Sequence, residues 1–231
     1  MDKQQDPHFD RYADSYDALH RDSVRFSGEE PGYFAAYKVD HIAERLGNLT
    51  VAPRILDFGC GVGGSIAYLR SRFPQARLHG LDVSGESLAL AARAHPDVDF
   101  GQIDGGKLPL ADGSIDVAMA ACVYHHIAPS ERAHWTAELR RVLRPGGRLF
   151  VFEHNPLNPL TQKVVRDCPF DDDAILLPRR ESLGLLRDAG FTDVGARYIV
   201  FFPQALSALR PLERRLSWLP AGAQYVADGR A

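Results

Sequence analysis

In "RILDFGCGVGGSIAYL", Arg54 to Leu69, a short apolar run stops at a cluster of glycines and resumes as a helical pattern. This junction constrains the chain more than any other stretch. A strand that turns through glycine directly into a helix is the opening unit of a parallel α/β sheet, and the turn lies where such sheets bind ligands. The same alternation continues. "ARLHGLDVS" reads as a strand and "GESLALAARAH" as a helix, followed by "VDFGQID" as a strand and the turn-rich "GGKLPLADGS". "IDVAMAACV" is apolar along its whole length, as expected of a strand buried on both faces. "PSERAHWTAELRRVL" reads as a helix, "RPGG" as a hard turn, and "RLFVFEH" as a strand.

Both ends behave differently. Phe9, Tyr12, Tyr16 and Leu19 recur at helical spacing, and a second helix is predicted over Pro31 to Leu46, closed by Gly47. Near the other end "RRESLGLLRDAG" reads as a helix, while "FTDVGARYIVFF" and "AQYVADG" read as two late strands. Between those strands, Leu206, Leu209, Leu212, Leu216 and Leu219 recur beside Arg210, Arg214 and Arg215, which predicts a further helix. That helix either covers the sheet or presents a basic side to a membrane surface. With 231 residues and no linker or repeat, one domain is expected. Its parts are a helical segment over 1–48, an alternating strand–helix core over 53–154, and late helices with a hairpin over 155–231.

Composition limits the function. A formal charge of −3 argues against a nucleic-acid partner. Three separated cysteines suit a reducing compartment rather than a disulfide framework. No apolar run reaches the roughly 18–20 residues of a spanning helix, and "MDKQQDPHFDRYADSYD" is not a secretory signal. A cytoplasmic protein without stable membrane insertion is expected, its oligomeric state left open.

Gly59, Gly61 and Gly64 satisfy G-x-G-x-x-G, which by itself fits a dinucleotide fold. The charges point elsewhere. Asp57 lies two residues before the first glycine, and Ile55 to Leu69 contains no lysine or arginine. A diphosphate about 4 Å from an unpaired carboxylate meets repulsion on the order of 4 kcal/mol at an effective dielectric near 20. Helix N-terminal amides return only about 1 kcal/mol. A ligand carrying an ammonium and a sulfonium is instead attracted. Asp82, ending the second strand, can accept both hydroxyls of a ribose, and Asp104, ending the third, can accept from an adenine amine.

"ILDFGCGVGG", "LHGLDVS", "GQIDGGKLPLADGSIDVAMAACVYHHI" and "ELRRVLRPGGRLFVFEH", in this order from about Pro53 to His154, resemble the successive motifs of class I S-adenosylmethionine-dependent methyltransferases. The resemblance implies a Rossmann-like seven-stranded mixed sheet in the order 3-2-1-4-5-7-6, helices on both faces, an N-terminal helical lid and S-adenosylmethionine as cofactor. It assigns Asp57 with the Gly59–Cys60–Gly61 backbone to the methionine moiety, Asp82 with Val83 to the ribose, and Asp104 with Gly105 to the adenine. Ala121 and Cys122 would lie under the methionine portion. "RYADSYD" would be part of the lid, with Tyr12 or Tyr16 facing the sulfonium. An ordinary buried aromatic stripe is the alternative.

The acceptor side offers fewer constraints. His125 and His126 follow the fourth strand, and either could take a proton from a hydroxyl; packing or capping is the alternative. Glu153, His154 and Asn155 follow the fifth strand at the same crevice and are the further candidates for acceptor binding and catalysis. Pro156 and Pro159 predict an extended connection rather than an immediate helix, with capping by Asn155 and Asn158 as the competing role. Asp171 to Asp173 could attract a metal, but no other ligands lie near them in sequence, so a solvated turn and no metal are expected. The expected activity is methyl transfer to an oxygen or nitrogen of a small molecule, such as a sugar, a glycan intermediate or a secondary metabolite. A nicotinamide-dependent oxidoreductase and a non-catalytic cofactor-binding protein are the rivals.

Overall fold

The apolar runs become β1 (Arg54–Phe58), β2 (Arg77–Asp82), β3 (Asp99–Gln102), β4 (Ile115–Ala121) and β5 (Leu143–His154), all paired in parallel. β6 (Thr192–Ile199) and β7 (Gln224–Arg230) complete one sheet in the order β3-β2-β1-β4-β5-β7-β6, as expected. β7 is antiparallel to both its neighbours. The structure is a computed structural model that describes residue 10, residues 16–47 and residues 52–231, apart from the side chains of Tyr16, Asp17 and Phe170.

Residues two apart on a strand face the same side, and the core divides accordingly. Leu56 and Phe58 of β1, Ala118 and Ala120 of β4, Leu149 and Val151 of β5, and Tyr225 and Ala227 of β7 pack on one face. Ile55, Val117, Met119, Phe150, Phe152 and Val226 pack on the other. The first face is covered by α5 (Arg132–Val142) and α7 (Arg179–Asp188), through Leu139, Val142 and Leu186. The second is covered by α2 (Pro31–Leu46) and α3 (Ile66–Arg72), through Val39, Ile42, Ala43, Ile66 and Leu69. α1 (Tyr16–Val24) precedes α2, and α4 (Gly85–Ala94) links β2 to β3.

Three sequence expectations change. The connection after β5 is not extended: α6 (Pro159–Asp167) begins at once, with Pro159 in its first turn, where a missing N–H costs nothing. The Asn158 side chain accepts from the amides of Leu160 and Thr161, so the capping role is the one realised. "RPGG" belongs to the edge of β5, where the register with β4 slips between the pairs Ile115–Leu143 and Val117–Arg148. The predicted Leu/Arg helix is broken. Residues Gln204–Leu212 form 3-10 turns, non-helical at Leu206 and containing Pro211, and only Glu213–Leu216, α8, is α-helical. Leu206, Leu209 and Leu212 are consequently exposed. None of the helices among the described residues is long and apolar enough to cross a membrane.

Candidate functional site

The C-terminal ends of the parallel strands open on one cavity of about 1220 Å³. Gly59, Gly61, Asp82, Val83, Ala121 and Cys122 line it on the β1–β2–β4 side. Gly59 and Gly61 have φ of 72° and 51°, which side-chain-bearing residues rarely adopt, and a Cβ on Gly59 would lie 2.5 Å from Val123 Cγ2. The loop is pinned to β2: the Gly59 and Cys60 amides donate to the Leu81 carbonyl, and the Gly61 amide donates to Asp82 Oδ2 at 2.7 Å. Asp82 Oδ1 accepts from the Ser84 amide at 2.9 Å, so each carboxylate oxygen keeps one lone pair for a ligand.

Asp57 is buried beneath this loop and does not itself line the cavity. Burial, followed by the nearby Asp82, pushes its carboxyl up to about 7, while Lys38 and Ser65 pull the other way. Lys38 corrects the charge argument drawn from residues 55–69. It reaches the site from α2, is itself buried, and its Nζ donates to Cys122 Sγ at 3.4 Å. The donor side therefore pairs two carboxylates with one ammonium. Lys38 falls at helical spacing between Phe34 and Ile42 on the buried stripe of α2, which is the sequence signal that could have marked it.

Other expected residues lie further out. Cys60 is buried behind the loop, and Asp104 and Gly105 are exposed after β3; none of the three lines the cavity. Tyr12 lies outside the described residues, as does the side chain of Tyr16. The N-terminal segment still touches the donor side. Asp10 Oδ1 accepts from Ser84 Oγ at 2.5 Å, and Leu19, His20 and Ser23 of α1 line the cavity.

The opposite wall is built from the ends of β4 and β5. β4 ends at Ala121, and Cys122 takes a left-handed turn with φ of 61° that swings Val123 to His126 across the rim. Burial would raise the Cys122 thiol, but Lys38 and His154 outweigh it and bring it down to about 6. Glu153 is fully buried. One of its oxygens accepts from the Val123 and Tyr124 amides at 3.0 and 2.8 Å, the other from His125 Nδ1 at 2.6 Å. Glu153 is absent from the cavity wall, so its place as an acceptor ligand gives way to that of a positioning residue for His125.

Asn155 is corrected in the same way. Its amide donates to the Pro220 and Gly222 carbonyls and its oxygen accepts from the Leu157 amide, and the side chain is buried and absent from the cavity wall. His125, His126 and His154 do line the cavity. Burial disfavours a charged His125, yet Glu153 and Asp171 outweigh it and hold the imidazole up to about 10.

Asp171, read in sequence as part of a solvated turn, is buried against these rings. Its Oδ1 lies 3.5 Å from His125 Nε2 and 3.3 Å from His126 Nε2, and the imidazoles hold its carboxyl well below the usual range despite burial. His126 Nδ1 is 3.0 Å from Asp173 Oδ1. Arg132 explains the convergence. Its buried guanidinium donates to the Tyr124, Ile127 and Ile175 carbonyls and to Glu181, and the Ile175 amide donates to the His125 carbonyl. Tyr33 Oη and Gln224 Oε1 line the cavity side, buried and without a hydrogen-bond partner, and Gln224 escaped sequence reasoning. Nothing in the sequence around Gln224 signals this.

Residues 55–147 match the family described as a methyltransferase domain. A demethylmenaquinone methyltransferase of Chlorobaculum parvum is 34% identical over 113 residues, 48% of this chain and 46% of that protein. A ubiquinone/menaquinone biosynthesis C-methyltransferase of Syntrophotalea carbinolica is 33% identical over 165 residues, 69% of this chain and 65% of that protein. The chain thus spans about half to two thirds of the length of these curated relatives. A solved methyltransferase structure from Thermotoga maritima shares the fold with a TM-score of 0.67, at 19% identity, over 96% of this chain and 98% of that one. Glycine loop, acidic strand ends, sheet order and these likenesses agree, and the chain belongs to the class I S-adenosylmethionine-dependent methyltransferases.

Proposed function

We propose that the protein transfers a methyl group from S-adenosylmethionine to an oxygen or nitrogen of a small molecule with an apolar body. The observation that carries this reading is the charge pattern around one loop: Asp82 and Lys38 line the cavity where Gly59 and Gly61 expose backbone, with the buried Asp57 carboxyl behind them. An amino acid moiety carries an ammonium and a carboxylate, which Asp57 and Lys38 respectively complement. The free lone pairs of Asp82 suit the two ribose hydroxyls. Bound there, the cofactor supplies an electrophilic methyl group on a sulfonium.

The remaining residues bind, orient and exclude water. At about 1220 Å³ the cavity exceeds the roughly 300–1,000 Å³ of ordinary ligand pockets, which leaves room for donor and acceptor together. Phe26, Phe34, Leu160, Val164, Phe201 and Phe202 line its outer part, favouring an apolar acceptor body over a bare sugar. Gln224 Oε1 would accept a hydrogen bond from the acceptor or the donor's ammonium. His126 is the candidate proton acceptor, its ring held between Asp173 at Nδ1 and Asp171 at Nε2 on the cavity wall. α1 and Asp10 act as the lid, with Asp10 accepting from Ser84 Oγ.

The name of the Syntrophotalea relative favours one second reading, methylation at carbon on an acceptor of the same apolar kind. Calorimetry with S-adenosylhomocysteine and with NADH tests the donor half. Binding of the first alone is expected, and NADH binding without S-adenosylhomocysteine binding would overturn it. Methyl-labelled cofactor, supplied with phenols, amines and ring-carbon nucleophiles, then reads the acceptor atom.

A further inference from the structure

We propose that His125, His154 and Asp171 form a binding site for a divalent first-row transition metal on the acceptor wall of the cavity. One ligand atom from each lies within 4.8 Å of the other two. Two imidazoles and one carboxylate gathered on one side of an ion leave coordination positions open, and all three residues line the cavity. The sequence expectation of a metal-free turn rested on the lack of nearby ligands, and the fold supplies them from β5 and the rim after β4.

The surroundings of His125 favour an ion over simple packing. Glu153 accepts from His125 Nδ1, which leaves Nε2 as the ligating nitrogen once an ion displaces its proton, and Glu153 is itself fixed by two backbone amides. A carboxylate behind the far nitrogen of an imidazole is the arrangement that orients metal-bound histidines. On its other side, Nε2 faces Asp171 Oδ1 at 3.5 Å. That separation is long for an N–H···O bond, whose usual range is about 2.7–3.2 Å. It suits two ligands that share one ion through bonds of roughly 2.0–2.2 Å. His154, half-buried at the end of β5, would close the third position by a ring rotation.

The open positions would receive an oxygen of the acceptor, and this last statement rests on the proposed methyl transfer. Ion binding does not.

The test uses the chelator-stripped full chain, titrated with Zn(II) and with Co(II) by calorimetry, with X-ray absorption on the Co(II) form. One equivalent is expected to bind, with two imidazoles in the coordination sphere. H154Q and D171N should each weaken binding by more than about 100-fold, since loss of an outer-shell partner alone costs 10–100-fold. H134A, on the exposed ring that contacts the Gly106 carbonyl, should change nothing. S-adenosylhomocysteine affinity checks that each variant is folded. No binding of either ion by the unaltered chain, fewer than two imidazoles at cobalt, or equal affinity in H154Q and D171N would each overturn the site. If S-adenosylhomocysteine still binds in that event, the methyl-donor reading stands by itself.

Discussion

The two walls of the cavity are built by opposite means. The donor wall consists of strand ends and the turns that follow them, and its contacts join the neighbouring strands β1 and β2 largely through backbone: Gly61 to Asp82, Ser84 to Asp82, Gly59 to Leu81. The acceptor wall gathers side chains from the turn after β4, the end of β5 and the turn around Asp171, joined by contacts such as His125 to Glu153 and His126 to Asp171. A wall made of backbone can be specified by a motif. A wall made of converging side chains depends on the whole fold, and its loss should register first as instability.

That contrast can be broken by mutation. The largest effect is expected for Glu153→Ala, which strands a buried imidazole and two amides. Removing one partner from such a cluster costs about 3–5 kcal/mol, read by urea denaturation. A stable Glu153→Ala protein with altered S-adenosylhomocysteine affinity would reverse the assignment of the walls.

Asp82→Ala should act on binding instead. Charge-assisted bonds to both ribose hydroxyls are lost, and affinity for S-adenosylhomocysteine should fall about 100-fold by calorimetry. Lys38→Met should cost less, about tenfold, since it removes one contact to a ligand carboxylate. An analogue lacking that carboxylate should bind Lys38→Met and the unaltered protein equally, which separates charge pairing from packing.

The smallest effect is a pH dependence. The Asp57 carboxyl titrates near 7 when buried, against an ordinary 3.8. An ammonium ligand needs it ionised, so affinity should fall as pH drops, by about threefold over one unit centred near 7. Stability of the ligand-free protein should run the other way. The folded state holds a proton on Asp57 that the unfolded chain releases, so this contribution is present below about pH 4 and lost as pH rises through 7. Thermal melts with and without S-adenosylhomocysteine should therefore diverge with rising pH. Parallel curves would remove Asp57 from the ammonium.

The same contrast decides what could be read in advance. The sheet order and the placement of Gly59, Gly61 and Asp82 are local patterns of glycine, apolar run and terminal acid, and they are visible in sequence. Asp171 was not, because its meaning depends on Arg132 drawing residues 171–175 onto the His125 rim from another helix. Lys38 was overlooked because charges were counted along one loop, whereas electrostatics acts through space. Glu153 and Asn155 were read as crevice residues from their place after β5, but sequence does not tell which side chains are turned inward and already bonded. Pro159 misled for a related reason: proline resists a helix interior yet suits a first turn, and only the Asn158 cap decides between the two.

Arg132 also bears on how molecules enter and leave. By riveting the His125 turn to residues 175 and 181, its guanidinium makes that side of the cavity a single rigid jamb. On the other side of the cavity α1 packs against α6, and traffic on that side requires the two to part. Hydrogen exchange should find amides of α1 opening readily while those of residues 123–127 stay closed, so that the door and its frame come from opposite ends of the chain.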